Sequence, residues 1–280
     1  MTAGMFLFSG VDTMGKFLTG TLDPIQITWS RQLGLLLGVM FLLVRVGPTL
    51  LRSKHVGLQI SRGALAAFSA VVFIYAVSFI PLADAVAISF VAPFIVTIMG
   101  AVILRERVGP RRWAAVIIGF LGTLIIIRPG FDALHPAAFA VIIAATAFAA
   151  RQVISRMVAG ADATRTTVAY TAIVSFALLS IPLPWVWQTP TAFEITLLAA
   201  MAVMAALAEV LVIMALDAAE AVVVAPMQYS LMIWGTMYGF LVFGQLPDIW
   251  TWIGALIIVA TGLYMLNRER LAARRSPTLE

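Results

Sequence analysis

Two long uncharged runs joined by one short basic turn constrain this chain more than any other feature. No residue from Ala85 to Leu104 is charged, and none from Trp113 to Ile127, whereas the connector Arg105 to Arg112 carries four arginines and one glutamate. A soluble helical hairpin would show a polar stripe at helical spacing on each run, because one face of each helix would meet water. Neither run has one, so the pair reads as a helical hairpin in lipid. Of the 280 residues, 62% are hydrophobic and 11% charged, far from an ordinary globular domain. A bilayer span needs about 20 largely apolar residues, and nearly the whole sequence divides into such pieces. The formal charge of +5 would suggest nucleic acid in a soluble protein. Here the basic residues sit in turns, where they set orientation instead, and no nucleic-acid partner is expected. With no cysteine, disulfides, thiolate chemistry and cysteine-ligated metal sites are excluded. No cofactor or metal is expected.

Hydropathy, turn residues and charge place ten spans: roughly Thr2 to Leu18, Ile25 to Val44, Gly63 to Ile80, Ala83 to Leu104 and Trp113 to Ile127, then Pro136 to Ile154, Thr166 to Pro184, Phe193 to Met214, Ala221 to Phe243 and Thr251 to Leu266. Pro24, Pro48, Pro81, Pro110, Pro129, Pro136, Pro190 and Pro247 fall at the joints, where a missing amide costs least. The first span begins almost at Met1 with no basic segment before it, unlike a cleaved signal peptide. If the N-terminus is cytoplasmic, then of the 18 lysines and arginines all but Lys16, Arg31 and Arg128 lie on the cytoplasmic side. That asymmetry obeys the positive-inside rule and puts both termini inside.

A shift of 139 residues aligns Ala76 with Ala215, Gly100 with Gly239, Glu106 with Gln245, Trp113 with Trp252 and Leu124 with Leu263. The repeat unit is five spans, an odd number, so the second half crosses the membrane in the opposite sense, as in inverted-repeat transporters. The expected organisation is one all-α membrane domain over 1–280: a first five-helix repeat over 1–130, a second over 131–270, and a cytoplasmic tail at 271–280.

Three stretches carry a family resemblance. LRERVGPRRWAAVIIGFLGTLIIIRPG (Leu104 to Gly130), PLADAVAISFVAPF (Pro81 to Phe94) and PDIWTWIGALIIVATGLYMLNRE (Pro247 to Glu269) resemble the EamA-type branch of the drug/metabolite transporter superfamily. The resemblance covers essentially the whole chain. It implies ten helices in two inverted halves that export small metabolites, amino acids or drugs across the inner membrane by alternating access. Amino-acid exporters, including those for aromatic amino acids, are the nearest type. Gln245 departs from the family, whose second repeat often has glutamate there, and this weakens any carboxylate-dependent role at that position.

Several residues suggest chemistry. Gly10 to Lys16, GVDTMGK, has the spacing of a phosphate loop but is followed by Phe17 and lies inside an apolar run, so nucleotide binding is not expected. Asp12 and Lys16 share a helix face. They read either as a structural ion pair near Arg31 or as a substrate- or proton-coupling element, since ionisable groups at membrane depth face a partner or a cavity. Glu209 is read as a protonatable group or, more simply, as a helix end near water. Pro93 and Pro226 interrupt two spans and free backbone carbonyls. Around them Ser89, Gln228, Tyr229 and Trp234, with Tyr75 and Ser78, form the expected substrate-binding set, and aromatic walls with few polar groups suit an amphipathic organic ligand. The pairs Gly34/Gly38 and Gly235/Gly239 are expected in internal packing rather than dimerisation, giving a monomer. An intramembrane enzyme is the rival from another class, but His55 and His135 fall at loops and offer no nucleophile or metal set at depth. A channel would need a charge ring or carbonyl filter that the sequence lacks.

Overall fold

The computed structural model describes residues 1–106, 108–127, 135–218 and 225–275. The expected joint between the repeats at 130/131, Arg107, Arg128, Pro129, the start of the ninth span at Ala221 and the end of the tail at 276–280 lie outside the described residues. The chain is helical throughout what is described, with an isolated bridge between Ala159 and Asp162 and no strand.

The helices are α1 (Thr2–Leu18), α2 (Pro24–Val46), α3 (Val56–Val77), α4 (Leu82–Ser89), α5 (Ala92–Ile103), α6 (Pro110–Ile127), α7 (Ala137–Val158) and α8 (Thr164–Ser180). After these come the single turn α9 (Leu183–Val186), α10 (Ala192–Ala218), a 3-10 segment Ala225–Tyr229, α11 (Ser230–Phe243) and α12 (Ile249–Arg275). Local chemistry sets their ends. Asp23 caps α2 by accepting a hydrogen bond from the Ile25 amide at 2.8 Å, with Pro24 as the first helical residue, the arrangement that satisfies an orphan donor where proline's missing amide costs nothing.

The expected continuous span Ala83 to Leu104 is instead two helices. Proline at position 93 has no amide to donate, and the backbone ahead of it tightens into i→i−3 bonds, Phe90 to Ala87 at 3.3 Å and Val91 to Ile88 at 3.0 Å. α10 and α12 run past the expected ends at Met214 and Leu266, because good helix-formers such as Ala215, Leu216 and Arg268 continue beyond them.

Among the described residues, six helices are long and apolar enough to cross a membrane: Pro24–Val46, Val56–Val77, Leu82–Ile103 across its break, Pro110–Ile127, Ala137–Val158 and the first part of α10. Large apolar side chains such as Leu37, Phe41, Val102, Ile117, Leu207 and Leu241 cover the outside. A surface of that kind belongs in lipid rather than water.

Inside, α3 packs along α7 and α8, α10 along α1 and α2, α11 on α1, α4 and α5 on α7, α2 on α8, and α6 on α12. Small residues set the closest approaches. A Cβ on Gly34 would lie 1.9 Å from the Ala202 carbonyl oxygen, and one on Gly254 would lie 2.5 Å from that of Gly122. Gly235 meets Val86, whereas Gly38 meets nothing, so three of the four glycines in the paired motifs touch their own chain and the fourth faces outward. Gly10 to Lys16 lies wholly within α1. It therefore lacks the strand-to-helix turn that a phosphate loop needs.

Candidate functional site

Five charged side chains from five helices gather inside the bundle. On α1, Asp12 is 8% exposed and receives Arg31 of α2 at 3.4 Å. Arg31 lies over the Phe8 ring, 5.7 Å from its centroid. On α3, the Nε of Arg62 donates to Ser155 Oγ at 2.7 Å, and its Nη1 donates to the Thr167 carbonyl at 3.2 Å and to Thr171 Oγ1. On α7, Arg151 lies over Phe148 at 4.8 Å, and its Nε is buried without a hydrogen-bond partner. Glu209 of α10 is half-buried, and its charge acts on both Arg62 and Arg151. Asp12 thus takes its ion partner from the next helix rather than from Lys16, one turn away. Arg62 and Arg151, which the sequence places at the cytoplasmic boundary, are drawn inward.

Two matching closures stand at opposite ends of these helices. Lys16 at the end of α1 donates to the Ile80 carbonyl at 2.6 Å and to Gln245 Oε1 at 3.1 Å, and its ammonium sits over Phe243. Arg156 near the end of α7 reaches Glu106 at 3.4 Å. The acceptor-bearing turns are alike. The Glu106 amide donates to the Gly100 carbonyl and the Gln245 amide to the Gly239 carbonyl, each at 3.1 Å. Each turn carries one left-handed residue, Arg105 at φ 54° and Gly244 at φ 65°.

The sequence-derived binding set divides in the structure. Tyr229 packs at a tilt against Phe90, 5.0 Å between ring centroids, beside the break between α4 and α5, and its hydroxyl packs over Gly262 of α12. Trp234 meets Phe6 edge-on at 5.2 Å, with its Nε1 buried and unpartnered. Ser9 Oγ and Thr236 Oγ1 are buried without partners in the same way, so α1 and α11 offer three polar atoms that a ligand can satisfy. Ser89 is half-buried and turns its hydroxyl to the Val86 carbonyl at 2.7 Å. Pro93 and Gln228 are exposed. Tyr75 and Ser78 stand apart at the end of α3, where Tyr75 packs on Phe79, Phe79 stacks on His135, and Ser78 bonds back to the Tyr75 carbonyl. No group of acidic or histidine side chains able to hold a metal forms among the described residues.

A shallow recess of about 300 Å³ lies among loops, lined by Arg52, Lys54, Asp162 and Arg165. Asp162 accepts from Gln59 at 2.9 Å, Ser53 at 2.5 Å and the Lys54 amide at 2.9 Å, which together hold its carboxyl down at about 2. A carboxylate stabilised in the folded state contributes stability above its unfolded pKa and loses it as pH falls through the folded value. Parent and Asp162→Asn melting temperatures should therefore differ at pH 7 and converge as pH is lowered from about 4 towards 2. A constant difference across that range would remove Asp162 from the acid response.

The first part of the sequence, residues 1–128, matches the EamA-like transporter family. A riboflavin transporter of Brucella anthropi is 31% identical, over 91% of this chain and 92% of its own. The pseudopaline exporter of Pseudomonas aeruginosa is 30% identical over 95% and 94%. An S-adenosylmethionine uptake transporter of Rickettsia bellii is 28% identical over 96% and 94%. One crystal structure superposes with a TM-score of 0.62 over 96% of this chain and 98% of its own, at 16% identity, a likeness of fold alone.

Proposed function

Because this chain belongs to the EamA-like transporter family, we propose that it is a ten-span carrier of small organic metabolites in a bacterial inner membrane, built from two inverted five-helix halves that alternate access through the two closures. The observation that carries this reading is the doubled turn and its basic partner: Gly100 to Glu106 with Arg156, and Gly239 to Gln245 with Lys16. The packing supports it. Exchanging the halves turns the contact of α3 with α7 into that of α10 with α1, the contact of α2 with α10 into that of α8 with α3, and that of α11 with α1 into that of α4 and α5 with α7, while α6 on α12 and α2 on α8 map onto themselves. Phe90 and Tyr229, which touch, are 139 residues apart, the repeat shift itself.

With the N-terminus inside, the Arg156–Glu106 closure faces the cytoplasm and the Lys16–Gln245 closure faces outward. Cysteine-free labelling backgrounds make this testable. In intact cells a cysteine at Gly109 should be shielded from an impermeant thiol reagent and one at Gln188 should react, and the reverse pattern would invert the orientation.

The proposed cargo is an amphipathic metabolite, with amino acids, aromatic ones included, as the finer reading and export as the direction. Relatives named for uptake and for export match at similar identity, so substrate and direction are both read out by transport. Purified protein in liposomes should exchange at least one of phenylalanine, riboflavin, S-adenosylmethionine and a cationic dye several-fold faster than protein-free vesicles. Phenylalanine exchange would select the amino-acid reading. Rates equal to empty vesicles for all four would overturn the carrier assignment for these classes.

A further inference from the structure

We propose that Arg151 is the anchor for a single negative charge on the transported solute, a carboxylate, bound between α7, α10 and the Asp12–Arg31 pair. Arg151 lies seven residues before the end of α7 at Val158, about 10 Å of helix from that end. Charge there is costly unless it is compensated. Around it stand two further guanidinium groups, Arg31 and Arg62, and two carboxylates, Asp12 and Glu209. Asp12 is engaged by Arg31. Glu209 is left to serve Arg62 and Arg151 together, so among these five described side chains one positive charge is uncompensated.

The hydrogen bonds distinguish the two claimants. Arg62 is held by Ser155, Thr167 and Thr171, a structural role between α3, α7 and α8. Arg151 has a buried Nε with no partner and stands outside the described ion pairs. Its guanidinium lies on the Phe148 ring. Its Nε has no partner and the described ion pairs do not include it, so its N–H fork can take a carboxylate by two parallel bonds. The opposing wall repeats the motif, with Arg31 over Phe8. One excess charge is balanced by a monoanion, whereas a phosphate dianion would leave a negative excess. The aromatic floors suit an organic carboxylate over a bare inorganic anion.

This deepens the transporter reading by naming the solute's charged group, and rests on it only for the claim that the anion is carried across. The binding test is independent of transport. Full-length protein in nanodiscs should melt about 3 °C higher in saturating benzoate, be unaffected by benzamide, and respond less to phenyl phosphate or chloride. Arg151→Gln should abolish the benzoate response and melt no lower than the parent, because it removes an uncompensated charge, whereas Arg62→Gln should melt lower. Three results would overturn the anchor: a benzoate shift unchanged in Arg151→Gln, no shift in the parent, or an Arg151→Gln variant that melts several degrees below the parent. In each case the liposome screen still decides the carrier assignment. Benzoate binding without transport of any tested solute would sink the carrier reading alone.

Discussion

Asp12→Asn should cost about 3–5 kcal/mol of stability, the usual penalty for removing one partner of a buried ion pair. Asp12 and Arg31 are mostly buried, with side-chain exposures of 11% and 21%, and the substitution strands the guanidinium in the bundle. That loss corresponds to a drop of about 10 °C in melting temperature. Removing the stranded charge as well, with Asp12→Asn and Arg31→Met together, should recover most of it. Lys16→Met should not rescue, because Lys16 is engaged with Ile80 and Gln245 instead. Differential scanning fluorimetry in nanodiscs reads all three comparisons. A different result would carry functional meaning. If Asp12→Asn melts like the parent and exchanges substrate between equal pools, yet fails to accumulate it against a gradient, Asp12 is a proton-coupling group and the structural account of the pair is wrong.

The sequence made the spans legible because lipid demands long uncharged runs, and α1 falls where hydropathy put it. The break at Phe90 and Val91 was legible only in part. Pro93 signals a lost backbone bond, but the bonds that absorb the loss depend on neighbouring helices. The charged interior was the least readable element. Arg151 lies 14 residues into a helix of 22 and inside the expected span Pro136 to Ile154, yet in the sequence it counts only towards the cytoplasmic charge bias. The interior position of Arg62 depends on hydroxyls of Ser155 and Thr171, 93 and 109 residues away in sequence. Asp12 had an obvious i,i+4 partner in Lys16, yet Lys16 at the last turn of its helix turns to the helix end and Arg31 takes the carboxylate. Spacing gives the pairs that are possible, and packing selects among them. Tyr75 and Ser78 illustrate the same limit. Their composition matched a binding wall, but helix phase directs them to the rim with Phe79 and His135.

Cross-linking either closure should reduce transport at least tenfold, and reduction of the cross-link should restore it. In the structure both closures are made at once, Lys16 to Gln245 and Arg156 to Glu106. A carrier that alternates access must break one closure while keeping the other, since a path open at both ends would be a channel and one open at neither would carry nothing. Both contacts are made by long, partly exposed side chains. Their individual contribution to stability is small, which lets them open on the timescale of a transport cycle. The chain lacks cysteine, so Lys16→Cys with Gln245→Cys, and separately Glu106→Cys with Arg156→Cys, can be bridged by a cleavable bis-thiol reagent long enough to replace the side chains lost. The single-cysteine variants, treated alike, control for the loss of each polar group. The two locks also predict different trapped faces. With the Lys16–Gln245 end fixed, a cysteine at Ser9 should stay reactive only towards reagent supplied from the cytoplasmic side, and with the Glu106–Arg156 end fixed only from the outer side. Full transport activity in either bridged protein would remove that closure from the cycle, and equal reactivity of Ser9→Cys from both sides under both locks would remove alternating access itself.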